Sequence, residues 1–237
     1  MNKLKGLDIE DKKVLDAGTG ACGMTKLLEK KNADVVSIDL NTKYLKDCRD
    51  QAETAQFLRA NLSDLSALKP KTFDYVVCNF LVSALSQSKD LILTSVFREF
   101  KRILKDDGIL AIIDYYPFDE ERSPSPLDPS HVGLWRLENA VNELLGKGHL
   151  EEYSPEVLGD ELSALGFGHI EIITLLDPVP WPPDLLKEHE DLLKENIERL
   201  ESDQIKESFQ VKLDTIMDST EDRRIESGAI YELRAKN

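Results

Sequence analysis

The sequence is short of cysteine, short of basic side chains and without any long apolar run. Its three cysteines are Cys22, Cys48 and Cys78. Their odd number and unpaired spacing argue against a disulfide framework and for a reducing, cytoplasmic setting. Cysteine and histidine lack zinc-ligand spacing and no carboxylate cluster suggests magnesium, so no metal is expected. No apolar stretch approaches the ~20 residues that cross a bilayer. The opening Met1-Asn-Lys-Leu-Lys-Gly6 has no apolar signal core, and no membrane partner is expected. Lysine and arginine number 30 against 45 aspartates and glutamates, a net charge of −15. Such a surface repels phosphate backbones and speaks against nucleic acid. The densest basic run, Arg98 to Lys105, alternates with apolar residues and reads as the solvated face of a helix. The hydrophobic content of 41% over 237 residues supports one core with elaborations.

What is present begins with Asp16-Ala-Gly-Thr-Gly-Ala-Cys-Gly23. A buried strand ends just before it at Val14-Leu15, and a helix follows from Met24. A glycine-rich turn between strand and helix lets backbone N–H groups approach a ligand. Asp39 closes the next strand, 19 residues after Gly20, where a carboxylate meets a nucleotide ribose. Gly18, Gly20 and Gly23 satisfy the dinucleotide pattern, which makes a nicotinamide-dependent oxidoreductase the competing reading. Asp16 weighs against it, because its carboxylate would face a pyrophosphate.

Strands are expected near 12–16, 34–39, 56–60, 73–79 and 108–115, with helices near 23–31, 41–52 and 89–105. The alternation predicts a parallel sheet with helices on both faces and a ligand at the carboxyl ends of the strands. Ser154 and Pro155 open a further helix closed by Gly166. Strands follow at Gly168–Leu175 and Ser227–Arg234. The linking stretch carries the proline-rich run Asp177 to Pro183 and two apolar sets at helical spacing. The first set is Leu185, Leu186, Leu192, Leu193, Ile197 and Leu200. Ile205, Phe209, Leu213, Ile216 and Met217 form the second. Phe118 to Pro129 reads as an irregular loop, and Trp135 to Leu145 as a short helix.

Four of these stretches, in order, resemble class I S-adenosylmethionine-dependent methyltransferases. Val14-Leu-Asp-Ala-Gly-Thr-Gly20 matches the first motif and Val35-Val-Ser-Ile-Asp39 the ribose-binding strand. Phe73-Asp-Tyr-Val-Val-Cys-Asn79 matches the fourth strand, and Ile103 to Asp114 the turn and fifth strand. The resemblance implies an α/β fold: a doubly wound, seven-stranded, mostly parallel sheet, last strand antiparallel, with helical lid insertions. It places the cofactor-binding half at 1–116, a lid segment at 117–153 and the C-terminal half at 154–237, with an insertion near 177–226. It also implies S-adenosyl-L-methionine as cofactor, contacted by Asp16, Gly18, Thr19, Gly20, Asp39, Leu40, Asn61, Leu62, Asn79 and Phe80. Cys22 departs from the family's third glycine, and Asn61 from its adenine-binding aspartate.

The implied activity is methyl transfer to a small molecule. The alternatives are a protein or peptide methyltransferase and a non-catalytic cofactor-binding interaction protein. A base for the acceptor's proton is sought in His131, in a loop after the fifth strand, and in Tyr115 and Tyr116 at its end. Only one of the two tyrosines faces a site if the strand alternates. Trp135 is read as an aromatic wall or a core anchor. His149, His169 and His189 are expected at the surface. The 184–217 helices offer a homodimer surface or a lid.

Overall fold

A computed structural model describes residues 3–86, 92–119, 121, 123–149, 151–175, 180–181, 183–220, 225–226 and 228–237. Residues 176–179, 182 and 227, from the proline-rich run and the start of the last expected strand, lie outside this description, as does the Leu185 side chain.

Seven strands form one sheet: β1 (Lys13–Ala17), β2 (Asp34–Asp39), β3 (Gln56–Arg59), β4 (Phe73–Asn79), β5 (Leu104–Tyr115), β6 (Gly168–Leu175) and β7 (Ile230–Lys236). Their order is β3-β2-β1-β4-β5-β7-β6. The first five pair in parallel, while β7 runs antiparallel between β5 and β6. The direction of winding reverses between β1 and β4, so their carboxyl ends diverge and leave a crevice.

Alternation along the strands builds two cores. Leu15, Val76, Leu110 and Leu233 face α4 (Ile92–Ile103) and α6 (Pro155–Ala164). Val14, Val35, Val77 and Ile113 face α1 (Gly23–Lys30) together with Leu4 and Ile9 of the leading segment. Central strands covered on both sides read as nearly continuous apolar runs, which is why 34–39 and 73–79 were legible. The short helices α2 (Thr42–Arg49) and α3 (Val82–Ser86) follow β2 and β4.

The insertions build a third core. The helices α5 (Pro129–Leu144), α7 (Pro183–Glu198) and α8 (Asp203–Asp218) pack through Leu137, Val141, Leu193, Ile197, Leu213 and Ile216. The apolar stripe expected as a dimer surface or a lid is therefore largely packed within the chain, with Leu192 and Ile205 left exposed. Helix α5 starts earlier than the sequence suggested. Asp128 caps it by accepting from Ser130 N, and Pro129 takes the first turn. No helix among the described residues is long and apolar enough to cross a membrane.

Cys22 and Cys48 are joined as a disulfide with Cα atoms 5.0 Å apart, while Cys78 is free and buried. This corrects the expectation of unpaired cysteines. The partners lie 26 residues apart and meet only once β2 lies beside β1, bringing α2 against the glycine-rich turn.

Candidate active site

The turn after β1 is held from below. Gly18 N and Thr19 N both donate to Ile38 O, at 2.8 and 3.1 Å. Gly18 has φ +82, and a Cβ there would meet Leu81 Cδ1 at 2.9 Å. Backbone therefore comes closer here than a side chain would permit. Gly20 N donates to Asp39 Oδ2 at 3.2 Å, and Asn41 N to Asp39 Oδ1 at 2.8 Å. The carboxylate is thus fixed at the end of β2. Leu40, beside it, is 59% exposed, an apolar side chain standing open at the crevice.

Asp16 is fully buried. Its Oδ2 accepts from Thr25 Oγ1 and from Ser37 Oγ, the latter at 2.8 Å, whereas Oδ1 has no partner. Burial pushes its pKa up to about 6, against the lowering effect of the two hydroxyls. Thr19, also buried, shares its hydroxyl with Ser37 at 3.0 Å. Leu62 belongs to the core beneath the sheet. Asn61 Oδ1, expected to accept from an adenine amine, accepts instead from Ser63 N and Ser63 Oγ at 3.1 and 2.9 Å. Both lone pairs are occupied by this turn.

At the end of β4, Asn79 Oδ1 accepts from Lys3 Nζ at 2.6 Å. The same ammonium lies 4.5 Å from the Phe80 ring centroid. Burial lowers the Lys3 pKa to about 8, opposed by Glu232 and Asp114. No periodicity signals this contact, since it joins the leading segment to a strand end 76 residues on. Phe80 has φ +55, a left-handed conformation for a bulky residue that costs about 1–3 kcal/mol. It is retained by Phe80 N donating to Ile113 O at 2.8 Å and by stacking on Tyr115 at 4.7 Å. Asp114 closes the junction, accepting from Val82 N at 3.0 Å and Ser83 N at 3.3 Å through Oδ2, and from Tyr115 N at 2.9 Å through Oδ1. Burial raises it to about 6.

Beyond Phe80 opens a cavity of about 550 Å³ between the end of β5, α5 and α7. Phe80, Tyr115, Phe118, Trp135 and Trp181 give it aromatic walls, and Tyr44, Leu192 and Asn196 also line it. Tyr115 faces it, while Tyr116 turns to the opposite core and bonds Thr174 Oγ1 at 2.7 Å. His131 is in the first turn of α5, not in a loop, and is 5% exposed. Its Nδ1 accepts from Gly228 N at 3.3 Å, which places the ring proton on Nε2. Burial lowers its pKa to about 4. His189, expected at the surface, also lines the cavity and packs on Trp181 at 4.7 Å. His149 sits edge-on to Trp135, and His169 has φ +48 on β6.

Sequence reasoning missed two further lining residues, Glu138 and Glu152. Burial raises both carboxyls, Glu152 to about 8. The Trp135 indole N–H acts on Glu152 but makes no bond of standard geometry to any acceptor. Glu138 falls one turn after Trp135 on α5, a helical-face signal that could have found it. Glu152 follows an irregular stretch and carries no such signal.

A methyltransferase-domain family matches residues 15–112. The chain is 32% identical over 114 residues to a ubiquinone/menaquinone biosynthesis C-methyltransferase of Wigglesworthia glossinidia brevipalpis, covering 44% of this chain and 43% of that one. It is 24% identical over 131 residues to a demethylmenaquinone methyltransferase of Thermotoga maritima, covering 54% and 55%. The matches thus span about half the length of these curated relatives. Among solved structures, an S-adenosylmethionine-dependent methyltransferase of Archaeoglobus fulgidus superposes with TM-score 0.58 at 15% identity, over 97% of this chain and 88% of that one; it shares the fold.

The crevice fits S-adenosylmethionine on its own terms. A bare buried carboxylate oxygen on Asp16 calls for a hydrogen donor from outside the chain. Asp39 stands at the strand end, where it could accept from ribose hydroxyls, and Gly18 leaves the backbone uncovered. The domain match, the motif order and this sheet agree: residues 15–112 match a methyltransferase domain, and the chain is similar to class I S-adenosylmethionine-dependent methyltransferases.

Proposed function

We propose that the protein transfers a methyl group from S-adenosylmethionine to a small organic acceptor held in the cavity between β5, α5 and α7. One observation carries the reading: Phe80 closes the cofactor strand β4 and at the same time lines the cavity. A ligand in each compartment would meet at that ring. When bound, the cofactor supplies an activated methyl group on a sulfonium, displaced by the acceptor's lone pair as the carbon–sulfur bond electrons leave on sulfur. The chain's own task is then alignment and exclusion of water.

Asp39 would hold the ribose, and Asp16 the amino group through its free oxygen. Asn79 is kept in place by Lys3, and Asp114 locks the turn that carries Phe80. His131 serves as a neutral wall and Nε2 hydrogen donor rather than a base, because Nδ1 is already engaged. Tyr115 offers an aromatic face; burial keeps its phenol protonated. Helices α5 and α7 are the lid, since they supply half of the residues that line the cavity. A concave aromatic site of this size suits a metabolite-sized ligand rather than a folded protein surface.

Titration calorimetry with S-adenosylmethionine tests the first half of the reading, and methylation of a metabolite mixture followed by mass spectrometry tests the second. Binding of a nicotinamide coenzyme in its place would overturn the proposal.

A further inference from the structure

Glu138 and Glu152 have no role in holding the methyl donor, yet both are placed in the cavity. Neither takes part in an ion pair among the described residues. The charge of Glu138 acts on Glu152, and Asp114 adds to the same sign there. Among the described residues no lysine or arginine lines the cavity. Lys147 Nζ is held on Asn196 Oδ1 at 3.0 Å and, with His189, acts on Glu138. Lys3 belongs to Asn79. Burial keeps His131 neutral at neutral pH.

The rest of the wall points the same way. Aromatic faces are negative and attract cations, and Phe80, Tyr115, Phe118, Trp135 and Trp181 present such rings around the two acids. Trp135 Nε1 is buried without an acceptor of standard geometry; an ionised Glu152 would be a stronger one. Keeping two acids in a low-dielectric cavity is costly unless something positive joins them. The net charge of −15 further draws cations toward the molecule.

We propose that the acceptor is an organic amine that enters as its ammonium ion, with Glu152 and Glu138 as counter-charges inside the aromatic walls. This rests on the methyl-transfer reading and narrows its substrate class. Most of the lining residues, from Tyr115 to Asn196, lie beyond the matched domain at 15–112, so the cavity's chemistry is this chain's own. On binding, the ammonium replaces the proton of Glu152. An acceptor nitrogen that must shed a proton before attack has the same carboxylate to receive it.

The test uses the full chain and 2-phenylethylamine, benzyltrimethylammonium and the neutral 2-phenylethanol as probes, by calorimetry at pH 7.5 in buffers of different ionisation enthalpy. Both cations should bind, and binding should release protons to the buffer. Glu152→Gln should weaken the cations about 30-fold or more and abolish proton release, with S-adenosylmethionine affinity unchanged as evidence of an intact fold. Affinity for benzyltrimethylammonium should rise between pH 6.5 and 8.5, following Glu152 rather than the probe. If S-adenosylmethionine binds but the alcohol matches the cations, no cation binds, or no proton leaves, the amine proposal falls and methyl transfer stands. Failure of S-adenosylmethionine itself to bind overturns both.

Discussion

Glu152 keeps its proton into the neutral range because the cavity withdraws it from water and Glu138 and Asp114 repel its charge. Its folded pKa of about 8 lies above the ordinary 4.5, so its contribution to stability is full below about 4.5 and is lost as pH rises through about 8. Asp16 and Asp114 follow the same sign, ending near 6. His131 has the opposite sign: its contribution is present above 6.5 and lost as pH falls through about 4. Lys3 completes its loss as pH falls through about 8. Between 6.5 and 8 Glu152 therefore dominates. The ligand-free protein should gain about 1–2 kcal/mol on going from pH 8 to 6.5, read from denaturant midpoints, and Glu152→Gln should flatten the profile. A wild-type profile already flat would remove the electrostatic assignment. In the crevice, Asp39→Ala should cost S-adenosylmethionine about 1.5–3 kcal/mol of affinity through lost charge-assisted hydrogen bonds. Gly18→Ala should destabilise the fold by about 1–2 kcal/mol, because alanine resists φ +82. Calorimetry checks the former and thermal unfolding the latter.

Among the elements, α5 depends on one residue. Asp128 caps its first turn and also accepts from Glu226 N at 2.8 Å, tying the helix to the Pro180–Glu226 bridge ahead of β7. Asp128→Ala should cost about 1–2 kcal/mol and loosen His131 three residues on, visible as faster hydrogen exchange at the amides of residues 130–132. The Cys22–Cys48 bond joins the glycine-rich turn to α2. Reducing it should cost about 3.5 kcal/mol on the chain-entropy estimate for a loop of this length, and should weaken cofactor binding more than acceptor binding. Equal melting with and without reductant would contradict this. These elements also mark how far the sequence could be read. Strands β1, β2, β4 and β5 were legible because burial on both faces writes apolar runs, and α7 and α8 because their stripes keep a helical period. The start of α5 was not, since Leu127-Asp-Pro129 serves a loop and a capped helix equally well. The disulfide, the reach of Lys3 to Asn79 and the pairing of Glu138 with Glu152 join distant segments. No local pattern encodes them.

At the scale of the whole molecule, the labour is divided. The 15–112 stretch that matches the methyltransferase domain carries the glycine-rich crevice, and most of the residues lining the cavity, from Tyr115 to Asn196, lie beyond it. Replacing 183–220 by a flexible linker should therefore preserve S-adenosylmethionine affinity while abolishing acceptor binding; retained acceptor affinity would show that α7 is no lid. Strand β7, meanwhile, lies between β5 and β6, with Ile109 paired to Lys236 and Ile113 to Glu232. Leu4 N reaches the same strand at Glu232 Oε2, 2.7 Å away. A ribosome releases β5 long before β7, and α5 through α8 emerge in between. Until then the nascent chain carries a bare strand edge beside an unfinished core. The sheet closes only when β7 slides into the slot between β5 and β6.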